Sequence, residues 1–165
     1  MMEWRHLLFL LLCSGAMCWM GGCTRPVALH TYHSVAPEGW NAHEVMSFPV
    51  DTLRHEGDYR LRVGLRITEM FPFRSIWLQV AQEWDDPELM RMDTIECKLT
   101  DEAGDFNGNG VSLYQYTFPV GVFHLEKGLK GRIHVRHLMR RELLPGVSDV
   151  GILLDEVVKN ESYLR

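Results

Sequence analysis

The stretch "YRLRVGLRI", Tyr59 to Ile67, alternates strictly: Leu61, Val63, Leu65 and Ile67 fall on one side, and Arg60, Arg62 and Arg66 on the other. Alternation with period two marks a strand with one dry and one wet face, whereas a helix would scatter both sets around its axis. The pattern recurs at Ile76, Leu78 and Val80, at Ile95, Cys97 and Leu99, and at Ile133 and Val135 against His134 and Arg136. Val111 to Val120, rich in Tyr, Phe and Val, reads as a further strand of high β-propensity. Val147 to Val158, "VSDVGILLDEVV", reads as an aliphatic strand that curls at Gly151. Val45 to Val50 is shorter and holds Pro49, which suits an edge strand because proline cannot donate to a ladder.

Turn chemistry separates these runs at Glu56-Gly57-Asp58, Asp85-Asp86-Pro87, Gly104 to Gly110, Lys127-Gly128 and Pro145-Gly146. Only Met139 to Leu144 reads as a helical turn. The expected fold is all-β: an antiparallel β-sandwich of about seven or eight strands, jelly-roll-like, with little helix.

The chain has 165 residues, 46% hydrophobic and 24% charged, which is the make-up of an ordinary globular protein. Its formal net charge of -5 leaves no basic surplus to neutralise phosphates, so nucleic acid is not an expected partner.

The N-terminus has a charged head around Glu3 and Arg5, a leucine-rich centre from Leu7 to Leu12, and a small-residue region ending at Gly21-Gly22-Cys23. That is the grammar of a secretory signal, and too many glycines interrupt it for a membrane-spanning helix. Met20-Gly21-Gly22-Cys23 matches a bacterial lipobox, in which small residues flank the scissile bond and the cysteine becomes the lipidated first residue. Residues 1–22 are therefore expected to be a signal peptide that is removed. Residues 23–27 would form a lipidated tether, and 28–165 a single β-sandwich domain. Cys13 and Cys18 would leave with the signal peptide, so the remaining free cysteine, Cys97, reads as a small buried hydrophobe.

"DFNGNG" resembles the first half of a calcium loop, with candidate oxygens at Asp105, Asn107 and Asn109, but Tyr116 stands where the bidentate twelfth-position Glu belongs. A glycine-rich hairpin is the simpler reading, and no metal or cofactor is expected. His30/His33 and His134/His137 are close pairs, yet on a strand the members of the latter pair point to opposite faces. There is no G-x-S-x-G elbow, H-E-x-x-H or phosphate-cradling loop, so neither catalysis nor a small-molecule substrate is expected. Trp77, Trp84 and Tyr114 could together form a sugar-stacking platform, which keeps a glycan-binding or glycan-processing lipoprotein as the alternative.

A succession of short motifs carries a family resemblance. It runs from Trp40 and Phe48 through Tyr59-x-Leu61-x-Val63-x-Leu65-Arg66 to Phe71-Pro72-Phe73-Arg74-Ser75-Ile76-Trp77-Leu78. It continues through Asp93-Thr94-Ile95-Glu96, Leu99, Gly104-x-Phe106-x-Gly108-x-Gly110, Met139-Arg140 and Leu144-x-Gly146-Val147-x-Asp149-Val150-Gly151. In this order behind a lipobox, the chain resembles the GldH-type gliding-motility lipoproteins of the Bacteroidota. Ser75 stands where that family usually has Asn, and Phe106 where it often has Trp. The resemblance implies an outer-membrane lipoprotein, anchored through Cys23, with a non-catalytic accessory or scaffolding role in the gliding-motility and secretion machinery. Its partners would be the membrane and other envelope proteins. Arg66 and Arg140 are the candidates for a buried or partner-facing ion pair with Asp149 or Glu96. Thr24, following the lipid cysteine, fits outer-membrane sorting, and Thr24 to His30 lacks an acidic export cluster, which points to the periplasmic side.

Overall fold

In the computed structural model, which describes residues 27–157, the opening stretch becomes the long strand β4 (Gly57–Thr68). Tyr59, Leu61, Val63, Leu65 and Ile67 are buried, and Arg60, Arg62 and Arg66 emerge on the opposite face. β4 lies inside a four-stranded antiparallel sheet of order β1-β10-β4-β7, with β1 at Val27–Ser34, β7 at Leu113–Leu125 and β10 at Val147–Glu156. Facing it is a second antiparallel sheet, β3-β8-β5-β6, built from Met46–Val50, Gly131–His137, Ser75–Trp84 and Arg91–Lys98 respectively. The two-residue strands β2 (Trp40–Asn41) and β9 (Leu143–Leu144) pair with each other at one end.

With that ribbon set aside, the eight long strands numbered in chain order lie as 1-8-3-6 against 2-7-4-5. This is the double Greek key of a jelly roll, the architecture the alternation implied. One core fills the space between the sheets, with Phe48, Ile76, Leu78, Ile133 and Val135 from one and Leu61, Leu65, Ile152 and Leu154 from the other. Pro49 and Pro119 both sit on edge strands, β3 and β7, where a missing N–H costs no ladder bond. Cys97 is fully buried, and desolvation pushes its thiol up to about 12.

Several local expectations are corrected. Met139 to Leu144 is not a helical turn: it is an irregular connection ending in β9, while the helical turn that does form is the 3-10 segment Pro87–Leu89, capped by Asp86. Apolar residues at the end of that stretch serve a strand here, because Leu144 pairs with Trp40 and is buried. β10 does not curl at Gly151, since its register is unbroken there and the irregularity falls between Val147 and Asp149. β7 runs on past Gly121 to Leu125: Gly121 pairs with Leu61, and a register shift beside it leaves Val120 without a partner on β4. Val27, placed in the tether, is the first residue of β1. Cys23, the signal segment 1–22 and residues 158–165 lie outside the described residues. Among the described residues no helix is long and apolar enough to cross a membrane.

Candidate functional site

The register of the three strands β1, β10 and β4 brings a set of polar residues together on the outer face of their sheet. Reading across β10 and β4, Asp155 pairs with Arg60, Gly151 with Gly64, and Asp149 with Arg66. On the other side of β10, Tyr32 pairs with Gly151 and Ser34 with Asp149. Tyr32, Gly151 and Gly64 therefore stand side by side on adjacent strands, and the tyrosine lies down across both glycines. A Cβ on Gly151 would fall 2.6 Å from Tyr32 Cδ1, and one on Gly64 would run into the tyrosine hydroxyl. Neither glycine has a positive φ, so it is the space over them that excludes a side chain.

The Arg66 guanidinium covers the Tyr32 ring, 4.5 Å from its centroid, in cation–π geometry. Its Nη1 approaches Asp149 Oδ2 at 3.9 Å, and its Nε donates to Gln115 Oε1 at 3.4 Å. Asp149 is held in turn: Ser34 Oγ donates to Oδ1 at 2.9 Å and Ser148 Oγ to Oδ2 at 2.8 Å. Further along the same face, Arg62 Nη2 donates to Asp155 Oδ1 at 2.6 Å, and Arg60 Nε lies 3.8 Å from Oδ2 of this nearly buried carboxylate. Burial raises the Tyr32 hydroxyl above its ordinary pKa; Arg66 and Arg62 oppose the rise and Asp149 adds to it. The result is a row of charges fixed by neighbours, so little side-chain entropy remains to be lost on contact with a partner.

Of the residues singled out in sequence, the structure joins Arg66 to Asp149 and leaves Arg140 apart. Arg140 is exposed in the connection after β8, with no ion-pair partner among the described residues. Glu96 belongs to the other sheet. Asp105, Asn107 and Asn109 are exposed on a loop that the chain closes by itself: Asp101 Oδ1 accepts from the Gly104 and Asp105 amides, and Asn109 and Gln115 exchange backbone bonds. Tyr116 is buried beneath that loop and donates to the Leu99 carbonyl at 2.6 Å. Among the described residues no group of three or more His, Cys, Asp or Glu is arranged to hold a metal ion.

The His pairs divide between faces. His134 faces outward with Nε2 3.2 Å from Glu83, whereas His137 is buried with Nε2 3.1 Å from the Trp40 carbonyl. Desolvation depresses the His137 pKa, and the Trp40 hydrogen bond only partly offsets it. Trp77, Trp84 and Tyr114 do not form one platform. Trp84 is 7% exposed and packs over Gly131, Tyr114 stacks on Phe106, and Trp77 stands on the outer face of the other sheet at 44% exposure. Sequence reading missed Tyr32, Gly64 and the Arg62–Asp155 pair. Two glycines in strongly β-forming strands were the available signal, since glycine inside a strand marks a close approach as often as a bend.

Fold and face together define a jelly-roll domain whose one outer sheet surface is a prearranged polar array. The chain belongs to the GldH lipoprotein family, whose family model matches residues 27–154. It is 26% identical over 145 residues to "Gliding motility lipoprotein GldH" of Flavobacterium johnsoniae, across 81% of this chain and 87% of that protein. Among solved structures, that of Eiger TNF from S. frugiperda aligns over 86% of this chain and 99% of that chain, at 13% identity and a TM-score of 0.35.

Proposed function

We propose that the protein is an outer-membrane lipoprotein, anchored through Cys23 and facing the periplasm. It serves there as a non-catalytic accessory or scaffolding component of the gliding-motility and secretion machinery. The observation that carries this reading is that the family match spans 27–154, almost the whole folded domain, and that the relative bears the name of a gliding-motility lipoprotein. The fixed Tyr32–Arg66–Asp149 array on the outer sheet is the face offered to an envelope partner, because prearranged charges give register and partner choice at small entropic cost. Several acyl chains on Cys23 make attachment durable where one chain would be marginal.

The test is a Cys23→Ala variant expressed in the source cell, followed by membrane fractionation and co-purification against wild type. The variant should leave the outer-membrane fraction and lose the envelope proteins that co-purify with wild type. If it stays in that fraction and keeps the same partners, the anchoring role of Cys23 is wrong.

A further inference from the structure

Trp77 is an exposed indole on the outer face of the β3-β8-β5-β6 sheet, flanked just past the end of β8 by the exposed Leu138, whose amide donates to the Trp77 carbonyl, and bordered by polar groups along β5 and β6. On β5 the outward neighbours are Ser75 and Gln79; across on β6, Trp77 pairs with Glu96, Ser75 with Lys98 and Gln79 with Thr94. On the other side Arg136 Nε donates to Gln79 Oε1 at 2.7 Å. Paired positions on a sheet face lie about 5 Å apart at Cβ, so this ring of hydrogen-bonding groups is within reach of anything laid on the indole.

From Trp77 toward the β6–β7 end the surface dips into a groove of about 340 Å³, lined by Arg74, Ser75, Glu96, Lys98 and Thr100 and by the Asp101–Glu102 turn. Every side chain in that lining carries a hydrogen-bonding group. Asp101 is committed to the Gly104 and Asp105 amides, and Arg74 leans on the loop through the Glu102 carbonyl at 3.5 Å. The side chains of Ser75, Glu96 and Lys98 have no hydrogen bond or ion pair among the described residues, so their polar ends are free. The lining carries charges of both signs, Arg74 and Lys98 against Glu96, Asp101 and Glu102.

We propose that Trp77 and this groove form a binding site for a neutral saccharide chain. A pyranose offers an apolar face of C–H groups, which stacks on an indole, and a rim of hydroxyls, each both donor and acceptor, which suits a rim holding a carboxylate, an ammonium and a hydroxyl together. A groove that reads an anion or a cation would be lined by one sign of charge, and one built to anchor a protein partner would offer an apolar pocket for the inserted side chain. Neither describes this lining. The site occupies the opposite sheet from the Tyr32–Arg66–Asp149 face, so one domain can hold a glycan and an envelope protein at once, and the inference does not depend on Cys23.

The test is titration calorimetry with saturation-transfer NMR on the purified lipoprotein in detergent, using maltohexaose, cellohexaose and chitohexaose as separate probes. At least one should bind, with saturation transfer to the sugar C–H protons and a Kd below about 10 mM, typical of weak association. Trp77→Ala should weaken that binding about tenfold or more, as removal of a central aromatic anchor does. The paired variant Glu96→Ala/Lys98→Ala, which leaves the core and the indole untouched, should weaken it as well. Met92→Ala, exposed on the same face beyond the ring, should not. If none of the three probes binds, or if binding persists undiminished in Trp77→Ala, the proposal is overturned. Binding of an acidic or basic peptide instead, abolished by salt, would likewise overturn it in favour of a protein-reading groove.

Discussion

Replacing Gly151 with Ala tests the arrangement at the heart of the β1-β10-β4-β7 face. The new methyl would meet Tyr32 Cδ1, Cε1 and Cγ at 2.6, 2.7 and 2.8 Å, contacts along the edge and root of the ring that no tilt of its tip can relieve. The ring must leave the face. Tyr32 is half-buried, so losing its packing costs about 1 kcal/mol. Losing the Arg66 guanidinium from above it adds about 0.5–1 kcal/mol for an interaction of this exposure. Against this, replacing a glycine whose backbone is compatible with alanine stabilises by about 0.4–1 kcal/mol through the unfolded chain. The net is a loss of about 1 kcal/mol, or about 3–5 °C in Tm for a domain of this size. In a Tyr32→Ala background the methyl meets no ring and only the entropic gain survives, so the sign reverses to a stabilisation of about 0.5 kcal/mol. Urea unfolding of wild type, both single variants and the double variant, followed by far-UV circular dichroism, gives the coupling directly. A change of the same sign in both backgrounds, or a coupling below about 0.5 kcal/mol, would refute the claim that Gly151 is there to seat Tyr32.

Three further outcomes follow from two buried titratable groups. The Cys97 thiol, lifted by burial from its ordinary 9.0 to about 12, should resist thiol reagents at pH 8 in the folded protein and react at once in denaturant, as peptide mapping of the label would show. Its neutral form is favoured by folding, so stability should decline as pH rises from about 9 towards about 12, and Cys97→Ala should flatten that decline. His137 behaves in the opposite sense: its depressed pKa means the unfolded chain takes up the proton first, so its contribution is present above about 6.5 and is lost as pH falls. The stability difference between wild type and His137→Leu should therefore narrow between neutral and mildly acidic pH, and a difference independent of pH would contradict the assignment.

Much of the fold was legible because a half-buried strand must alternate. Leu61, Val63, Leu65 and Ile67 needed only their own spacing to declare one dry face, and Ile76, Leu78 and Val80 did the same for the opposite sheet. Misreadings arose where a short segment takes its conformation from a distant one. Met139 to Leu144 contains good helix formers, yet Leu144 is claimed by Trp40, more than a hundred positions earlier, in a two-residue ribbon whose partner no local window contains. Gly151 looked like a bend because a strand glycine has two meanings, and the residue that decides between them, Tyr32, comes from the first strand of the domain.

The sites divide in the same way. Arg66 and Asp149 could be named as partners from the family pattern, and their 3.9 Å approach depends on β10 lying beside β4. Arg140 belongs to the same pattern but ends exposed in a connection, because membership of a motif says nothing about where a loop points. Among the three aromatics considered as one platform, Trp77 and Trp84 are seven positions apart on a single strand, an odd interval, so strand geometry alone places them on opposite faces. Tyr114 belongs to the other sheet altogether.

By itself, then, the sequence determined the quantities that are local: the period-two burial, the turns, the edge placement of Pro49, and the lipobox that makes Cys23 the candidate anchor. Only the tertiary structure decided which strands are neighbours, and with that which side chains meet. A jelly roll pairs its first strand with its last, so Tyr32 reaches Gly151 and Gly64, and Asp155 reaches Arg62, across separations that carry no sequence signal. The same pairing rule set Trp77 beside Glu96 and opened a polar groove at its side. Spacing along a chain encodes the face a residue takes, and it leaves the neighbour to be chosen by the way the sheets close.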